Sequence, residues 1–584
     1  MCGIIGYIGP ERASGILLKG LKSLEYRGYD SAGMAVIDSG RIICKKGAGK
    51  VEEINKKVDF PSIEGNIGIA HNRWATHGKV NDVNAHPHLD CSGNIAVVHN
   101  GIIENFEELK KELKGHSFKS ETDSEVIAHL IEEEMKDLPF DKAFIKAISK
   151  LKGSYAVLAI EAKSNKVMAA RKGSPLVVGV SSDAFFFSSD IPSFIDWTKK
   201  VIYLHDYDVV EAGKEIKIYN LKDGFVSRPI DSVEWKAEQI KKDGFEHYML
   251  KEIVEQSDTI RRAIQQKREL VERIAKQLKE ARGVFLIGCG SSYHACLTGS
   301  YLFSKVAKMH VNPVLASEFK NYKHFLKKES MIIAISQSGE TADVLEAVRA
   351  AKEKQSKIIS IVNRAASSLT RESHESLLMN AGPELSVLST KTYTSQVALM
   401  AMLAYTIAGR YDEGMAKLKK LYMDIYNLTS RNMRDRLRAL AKRLLNEEHI
   451  YVLGRSLQYP TALEAALKIK EVSYIHAEAF AGGELKHGPL ALIKKGSPVI
   501  VFVSKDDKDI IANANEVKTR GAYVIGVSHK NYDIFDYWIK TPESEELGPI
   551  LQIIPIQILA YQLAVLKGLD PDRPRNLAKS VTVK

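Results

Sequence analysis

The sequence predicts an α+β N-terminal domain followed by two α/β domains, each a doubly wound parallel sheet wrapped by helices. Three observations predict it. Up to about residue 230, short apolar runs alternate with Gly-, Asn- and His-rich turns, as in GNIGIAHNRW, NIAVVHNGII, SYAVLAIEA and PLVVGVSS. Their period of two marks strands, with a few helices such as Asn105 to Leu113. Further on the rhythm becomes strand, turn, long helix: VFLIG (284–288), MIIAI (331–335) and KIISIV (357–362) are the strands, and parallel sheets are built this way. The second half also repeats itself. VFLIGCGSSYHACLTGSYLFSK from Val284 aligns with IYVLGRSLQYPTALEAALKIKE from Ile450, placing Gly288 over Gly454.

A chain of 584 residues exceeds what one core supports. The polar stretch KAEQIKKDG (236–244) is the linker candidate. The boundaries expected are 2–235 for the first domain, 236–247 for the linker, 248–425 and 426–568 for the two α/β domains, and 569–584 for a polar tail. That tail follows a buried helix and is expected to be tied down over a site.

With 45% apolar and 27% charged residues the composition is that of an ordinary globular protein. MCGIIGYIGPER lacks the basic start and apolar stretch of a secretory signal. Leu547 to Leu566 carries no charge and is long enough to span a bilayer. It also holds two prolines and three glutamines, and no second such segment accompanies it, so a buried helix is expected and no membrane partner. Five cysteines without regular spacing argue against a disulfide framework and for a reducing, cytoplasmic compartment. The net charge of +11, from 83 Lys+Arg against 72 Asp+Glu, is spread along the chain. Without a basic run or an aromatic-interleaved patch it does not indicate nucleic acid, while it suits a phosphorylated small substrate.

Cys2 follows the initiator methionine. Removal of Met1 would leave an α-amine that titrates near neutrality beside a thiol, a nucleophile and its base in one residue. Attack by a thiolate develops an oxyanion, for which the Asn100 amide and the Gly101 N–H are candidate donors. Arg73 suits a carboxylate and Asp123 an ammonium, the two ends of a free amino acid. Plainer readings stand beside these. Asn100-Gly101 can be a hairpin turn, Arg73 a structural ion pair, and Thr122 with Glu125 a capping box around Asp123. The run Ala70 to Asn100 holds His71, His77, His86, His88, His99 and Cys91, which raises a metal site. With no CxxC or HExxH, hydrogen bonding in turns is the expected use and no metal is expected.

In the second half, GCGSS (288–292) and SQSGET (336–341) each join a strand to a helix, where free N–H groups and the helix dipole suit phosphate. Ser292, Ser336, Ser338, Thr341 and the Gln337 amide are the candidate ligands; the alternative is that they only cap helices. Tyr293 stands where a dinucleotide fingerprint needs its third glycine, and no GxxxxGK[ST] occurs. Glu464, Lys468 and Glu471 share one face of a helix that begins near Pro460, as a surface ladder or as a cleft lining. Ketose–aldose chemistry needs a proton-shuttling carboxylate, an acid–base group and, with an amine, a Schiff base. Glu471, His487 and Lys579 fit those roles.

Cys2-Gly3-Ile4, LEYRGYDSAG (24–33), HNRWATHG, NAHPH, HNGIIEN and SETD resemble the glutaminase domain of the glucosamine-6-phosphate synthase family. EAALKIKEVSYIHAEAFAGGELKHGPLALI and PRNLAKSVTV resemble its isomerase half. The resemblance runs from Cys2 to Val583. It implies a four-layer αββα N-terminal-nucleophile domain followed by two SIS-type, flavodoxin-like domains, with no cofactor. It implies that Cys2 attacks the glutamine amide, that Asn100 and Gly101 form the oxyanion hole, and that Arg73, Thr76, His77 and Asp123 bind L-glutamine while Trp74 gates the ammonia route. For fructose 6-phosphate it implies a Schiff base at Lys579, ring opening by His487 and proton transfer by Glu471 with Lys468 assisting. Ser292, Ser336, Gln337, Ser338 and Thr341 would hold the phosphate, Leu388 and Ser389 would line the pocket, and the tail would close it. A homodimer or larger assembly is implied, with His487 serving the neighbouring subunit's site. The sequence departs from the family pattern at Ser291, where threonine is common, and at Leu388 and Gly482, where alanine is.

Overall fold

Alternation along single strands sorts the first half into layers. In Gly3–Ile8, Ile4 and Ile8 point into one apolar cluster and Ile5 and Tyr7 into another, as a period of two requires. The computed structural model describes residues 1–584 except Met1, Thr76, 234–240, Asp506, Val583 and Lys584. Two compact units divide the chain: Met1–Ile240 with Ala578–Lys584, and Lys241–Leu577.

In the first unit, an eight-stranded sheet places Gly3–Ile8 antiparallel between Phe185–Ser188 and Ile67–Arg73. A seven-stranded sheet is built on Ile95–Ile103 antiparallel to Gly153–Glu161. Ile4, Ile69, Val98, Leu158 and Val178 pack between the sheets. The helix Ala13–Leu24 covers the outer face of the first sheet through Leu17 and Leu21, and Glu125–Glu134 and Phe140–Ser149 cover the second through Ile127, Ile131 and Phe144. The four layers are therefore αββα.

The second unit holds two five-stranded sheets. The first runs in the spatial order Asn312–Leu315, Val284–Gly288, Met331–Ser336, Lys357–Val362, Glu375–Leu378, all parallel. The second runs His476–Ala481, His449–Gly454, Pro498–Phe502, Tyr523–Ser528, Tyr537–Lys540, also all parallel. In chain order both are 2-1-3-4-5, the flavodoxin-like winding. Alternate residues of each strand face different cores. Leu286, Ile333, Val452 and Ile500 enter one cluster shared by both sheets, whereas Phe285 and Ile332 enter a private cluster on one side and Tyr451 and Val499 another.

The uncharged C-terminal segment forms the helix Gly548–Leu566, by length and composition able to cross a membrane but buried in the shared core. Its three glutamines explain this placement. Gln552 donates to the Val503 carbonyl at 2.9 Å, Gln557 accepts from Gln256 at 2.8 Å, and Gln562 accepts from Arg438 at 3.1 Å; buried amides require such partners. Residues 236–240 of the expected linker lie outside the described residues. Asp572, in the expected tail, accepts from the Tyr248 and Met249 N–H groups at 2.9 and 2.7 Å, and burial pushes its carboxyl up.

Candidate active sites

Cys2 precedes the first strand and lies beside the end of Ile67–Arg73. Its sulfur accepts from the Trp74 N–H at 3.2 Å, and its carbonyl oxygen accepts from Asn100 Nδ2 at 2.9 Å and from Arg27 Nε at 3.2 Å. Burial pushes the thiol up, while the Trp74 N–H and the Arg73 guanidinium pull it back. Asn100 is oriented from both sides: Oδ1 lies 3.0 Å from His71 Nε2, and Nδ2 also donates to Ser189 Oγ at 2.8 Å.

Asn100 and Gly101 belong to the strand Ile95–Ile103, so the hairpin-turn reading falls. Gly101 has φ +140°, and a Cβ there would stand 1.9 Å from the Ser154 carbonyl oxygen, which only glycine permits. Among the described residues Arg73 has no carboxylate within ion-pair distance: its guanidinium donates to the carbonyls of His77, Gly78 and Lys79, shaping the loop after the strand. Asp30 completes that loop by accepting from Ala75 N at 2.8 Å. Asp123 is buried and accepts from Ile103 N at 2.7 Å. The capping box does not form. Glu125 instead accepts from Lys119 N and Ser120 N at 2.9 and 2.6 Å. His77 is half-buried and meets the Phe106 ring edge-on; Thr76 lies outside the described residues.

The histidines of the 70–100 run are spent on hydrogen bonds and stacking. His71 stacks on His86 at 4.0 Å, His88 reaches Thr122 Oγ1 at 3.1 Å, and His99 Nδ1 reaches Ser124 Oγ at 2.8 Å. Burial pushes the His71 ring down to about 3 and holds His86, His88 and His99 below the usual histidine range.

In the second unit the two expected phosphate loops stand at the carboxyl ends of the neighbouring strands Val284–Gly288 and Met331–Ser336, where the winding reverses. Open α/β sheets bind ligands at such points. Ser292 opens the helix Ser291–Leu302 and accepts from Gln396 at 3.1 Å. Ser336 Oγ lies 2.9 Å from Thr341 Oγ1 and accepts from Gly339 N at 3.0 Å; Ser338 Oγ accepts from Glu340 N at 3.1 Å. Gln337 is half-buried between these serines. Ser389 Oγ lies 2.7 Å from Thr392 Oγ1. Leu388 is wholly buried in the shared core.

The helix Gln458–Ser473 resolves the choice between surface ladder and cleft. Glu464 and Lys468 are 0% exposed, and the Lys468 ammonium lies 3.4 Å from Glu464 and 2.6 Å from Glu471. Burial alone would lower the Lys468 pKa; Glu464, Glu471 and Glu384 more than offset it and raise it. Glu464 also accepts from Ser291 Oγ at 2.8 Å and meets His294 Nδ1 at 2.7 Å, tying this helix to the first phosphate loop. Glu471 keeps a fifth of its side chain exposed, so it alone of the three can meet a ligand. His487 is exposed at the end of the turn Gly482–His487. Lys579 groups with the first unit.

Sequence reasoning missed Arg27, Asp30, Ser189, Ser291 and His294 as supports of the sites, and it placed Glu464 on the charged helix face without its contacts to Ser291 and His294. Their roles are long-range contacts that spacing does not reveal; only the i, i+4 relation of Glu464 to Lys468 was a signal.

A cysteine-centred αββα unit and a doubled 2-1-3-4-5 unit in one chain define a class, an amidotransferase joined to sugar-isomerase domains. A glutamine amidotransferase domain family matches residues 71–196, and the SIS domain family matches 277–406 and 443–567. The chain is 45% identical to the glutamine–fructose-6-phosphate aminotransferase (isomerizing) of Pyrococcus horikoshii and 44% identical to that of Thermococcus kodakarensis, covering 100% of both chains in each case. A solved C-terminal domain of glucosamine-fructose-6-phosphate aminotransferase from Francisella tularensis is similar with a TM-score of 0.52 and 33% identity, over 57% of this chain and 99% of that one. The chain belongs to the glutamine–fructose-6-phosphate aminotransferase (isomerizing) family.

Proposed function

We propose that the protein transfers the amide nitrogen of L-glutamine to fructose 6-phosphate and isomerises the product to glucosamine 6-phosphate, releasing glutamate. The observation that carries this reading is that one chain sets Cys2 against Asn100 in its first unit and a serine-rich winding-reversal point in its second.

In the first half-reaction the Cys2 thiolate forms a bond to the glutamine amide carbon, with the Cys2 α-amine taking the thiol proton. The amide nitrogen leaves as ammonia and water hydrolyses the thioester. Asn100 Nδ2 and the Gly101 N–H donate to the oxyanion; the Asn100 amide already stands at Cys2, 2.9 Å from its carbonyl oxygen. Arg73, Thr76, His77 and Asp123 take the glutamine carboxylate and ammonium, and Trp74 gates the ammonia.

In the second, Ser292, Ser336, Gln337, Ser338 and Thr341 bind the sugar phosphate. Ser389 and the Leu388 backbone line the pocket, because the Leu388 side chain is committed to the core. Lys579 forms the Schiff base, His487 opens the ring, and Glu471 carries the proton between adjacent sugar carbons while Lys468 holds it in place. Exposure of His487 supports a dimer or larger assembly in which it serves a neighbouring subunit. Five free cysteines support a cytoplasmic setting.

Cys2→Ala is expected to abolish glutamine-dependent product while sparing interconversion of fructose 6-phosphate and glucose 6-phosphate. Lys579→Ala is expected to do the reverse and keep basal glutaminase. Loss or retention of both activities together in either variant would overturn the two-centre reading.

A further inference from the structure

A second cluster of ligating side chains stands in the first unit, away from Cys2 and unused by the chemistry above. Cys91 is in the turn between His88–Leu89 and Ile95–Ile103, His116 follows the helix Phe106–Glu112, and His129 and Glu132 lie one turn apart on Glu125–Glu134. Cys91 Sγ is 3.7 Å from His116 Nδ1 and 3.5 Å from His129 Nδ1. Glu132 Oε2 is 2.9 Å from His116 Nδ1 and 3.3 Å from His129 Nδ1. One donor atom from each of the four residues falls within 4.8 Å of all the others.

Those separations are the edges of a coordination polyhedron. Zinc bonds of about 2.3 Å to sulfur and about 2.05 Å to nitrogen or oxygen make tetrahedral edges of about 3.6 Å between sulfur and nitrogen and about 3.3 Å between nitrogen and oxygen. The surroundings point the same way. Both rings turn Nδ1 inward; His116 Nε2 meets Glu133, outside the cluster, at 2.8 Å, while His129 Nε2 lies 3.6 Å from Glu125, beyond hydrogen-bond distance. At His116 the carboxylate on the far nitrogen keeps that nitrogen protonated and leaves the Nδ1 lone pair free for a metal. Without a cation or extra protons at the centre, those lone pairs would confront a carboxylate oxygen.

We propose that Cys91, His116, His129 and Glu132 form a structural zinc site. Four protein ligands close the coordination shell, as in structural rather than catalytic sites. The ion would join the Cys91 turn and the His116 loop to the helix Glu125–Glu134, which begins two residues after Asp123. This goes beyond the sequence expectation of no metal. That expectation weighed His71, His77, His86, His88, His99 and Cys91 of the 70–100 run, of which only Cys91 takes part here.

The test is metal analysis of the full chain, grown with added zinc and purified without chelator. About one zinc per chain is expected in the wild type, and less than about a tenth of that in Cys91→Ser. Cys91 is exposed, so its substitution opens no cavity in the core. Stripping the wild type with a chelator should lower the Tm of the first unit, and zinc should restore it. Cobalt replacement should give a thiolate-to-cobalt charge-transfer band that Cys91→Ser removes. Wild-type chain holding only trace zinc after supplementation and rebinding none, or a metal content and cobalt spectrum unchanged in Cys91→Ser, would overturn the proposal and leave a hydrogen-bonded imidazolium cluster.

Discussion

At the scale of single residues, the sites depend on positions that accept no other atoms. Gly101→Ala would drive a Cβ into the Ser154 carbonyl and shift the proposed oxyanion donor. A fall of about 10²- to 10³-fold in glutaminase kcat is expected, with phosphosugar isomerisation unchanged, measured by paired assays on one preparation. Glu464→Ala would leave the buried Lys468 ammonium with Glu471 as its only ion-pair partner within 4 Å among the described residues. Breaking a buried pair by removing one partner costs about 3–5 kcal/mol, so chemical denaturation of the second unit should move to lower urea. Replacing both, as Glu464→Leu with Lys468→Met, should recover part of that loss. The strand position of Asn100 and Gly101 was legible because an Asn-Gly pair ending an apolar strand is a short-range signal. Arg27 and Ser189 were not, because they meet Cys2 and Asn100 only after strands far apart in the chain have paired.

At the scale of elements, the strands Ile67–Arg73 and Ile95–Ile103 carry His71 and His99 into the interior beside His86 and His88, where burial keeps all four neutral. Their folded pKa values lie below the unfolded value near 6.5, so below about pH 6.5 the unfolded chain binds protons that the folded unit refuses. Stability of the first unit should therefore be full above about pH 7 and fall on acidification, by up to about 1.4 kcal/mol per pH unit for each histidine. Urea unfolding followed between about pH 7 and 5 measures it; a flat profile would mean that the rings gain protons without opening the unit. Periodicity made the strands and the Gly548–Leu566 helix legible, and the glutamines foretold its buried place. The Thr122–Glu125 spacing misled because Glu125 found closer N–H groups at Lys119 and Ser120 than the helix start offered.

At the scale of the whole molecule, the apolar clusters of the first unit are separate from those of the second. Calorimetry is expected to show more than one transition, and acidification should lower that of the unit carrying the buried His71, His86, His88 and His99. The layer order of the first unit and the winding of the second followed from recurring patterns together with the family resemblance. The grouping of Ala578–Lys584 with the first unit did not, since a short polar tail carries no periodic signal. The repeat within the second half has a further consequence. Its two sheets bury one face each in a common interior, crossed by Lys391–Ile407 and Gly548–Leu566. That interior has the make-up of an obligate subunit interface turned inward. A fragment with only one sheet would present this bare face to water and should self-associate, so the duplicated half behaves as a tethered pair in which neither copy can be dispensed with.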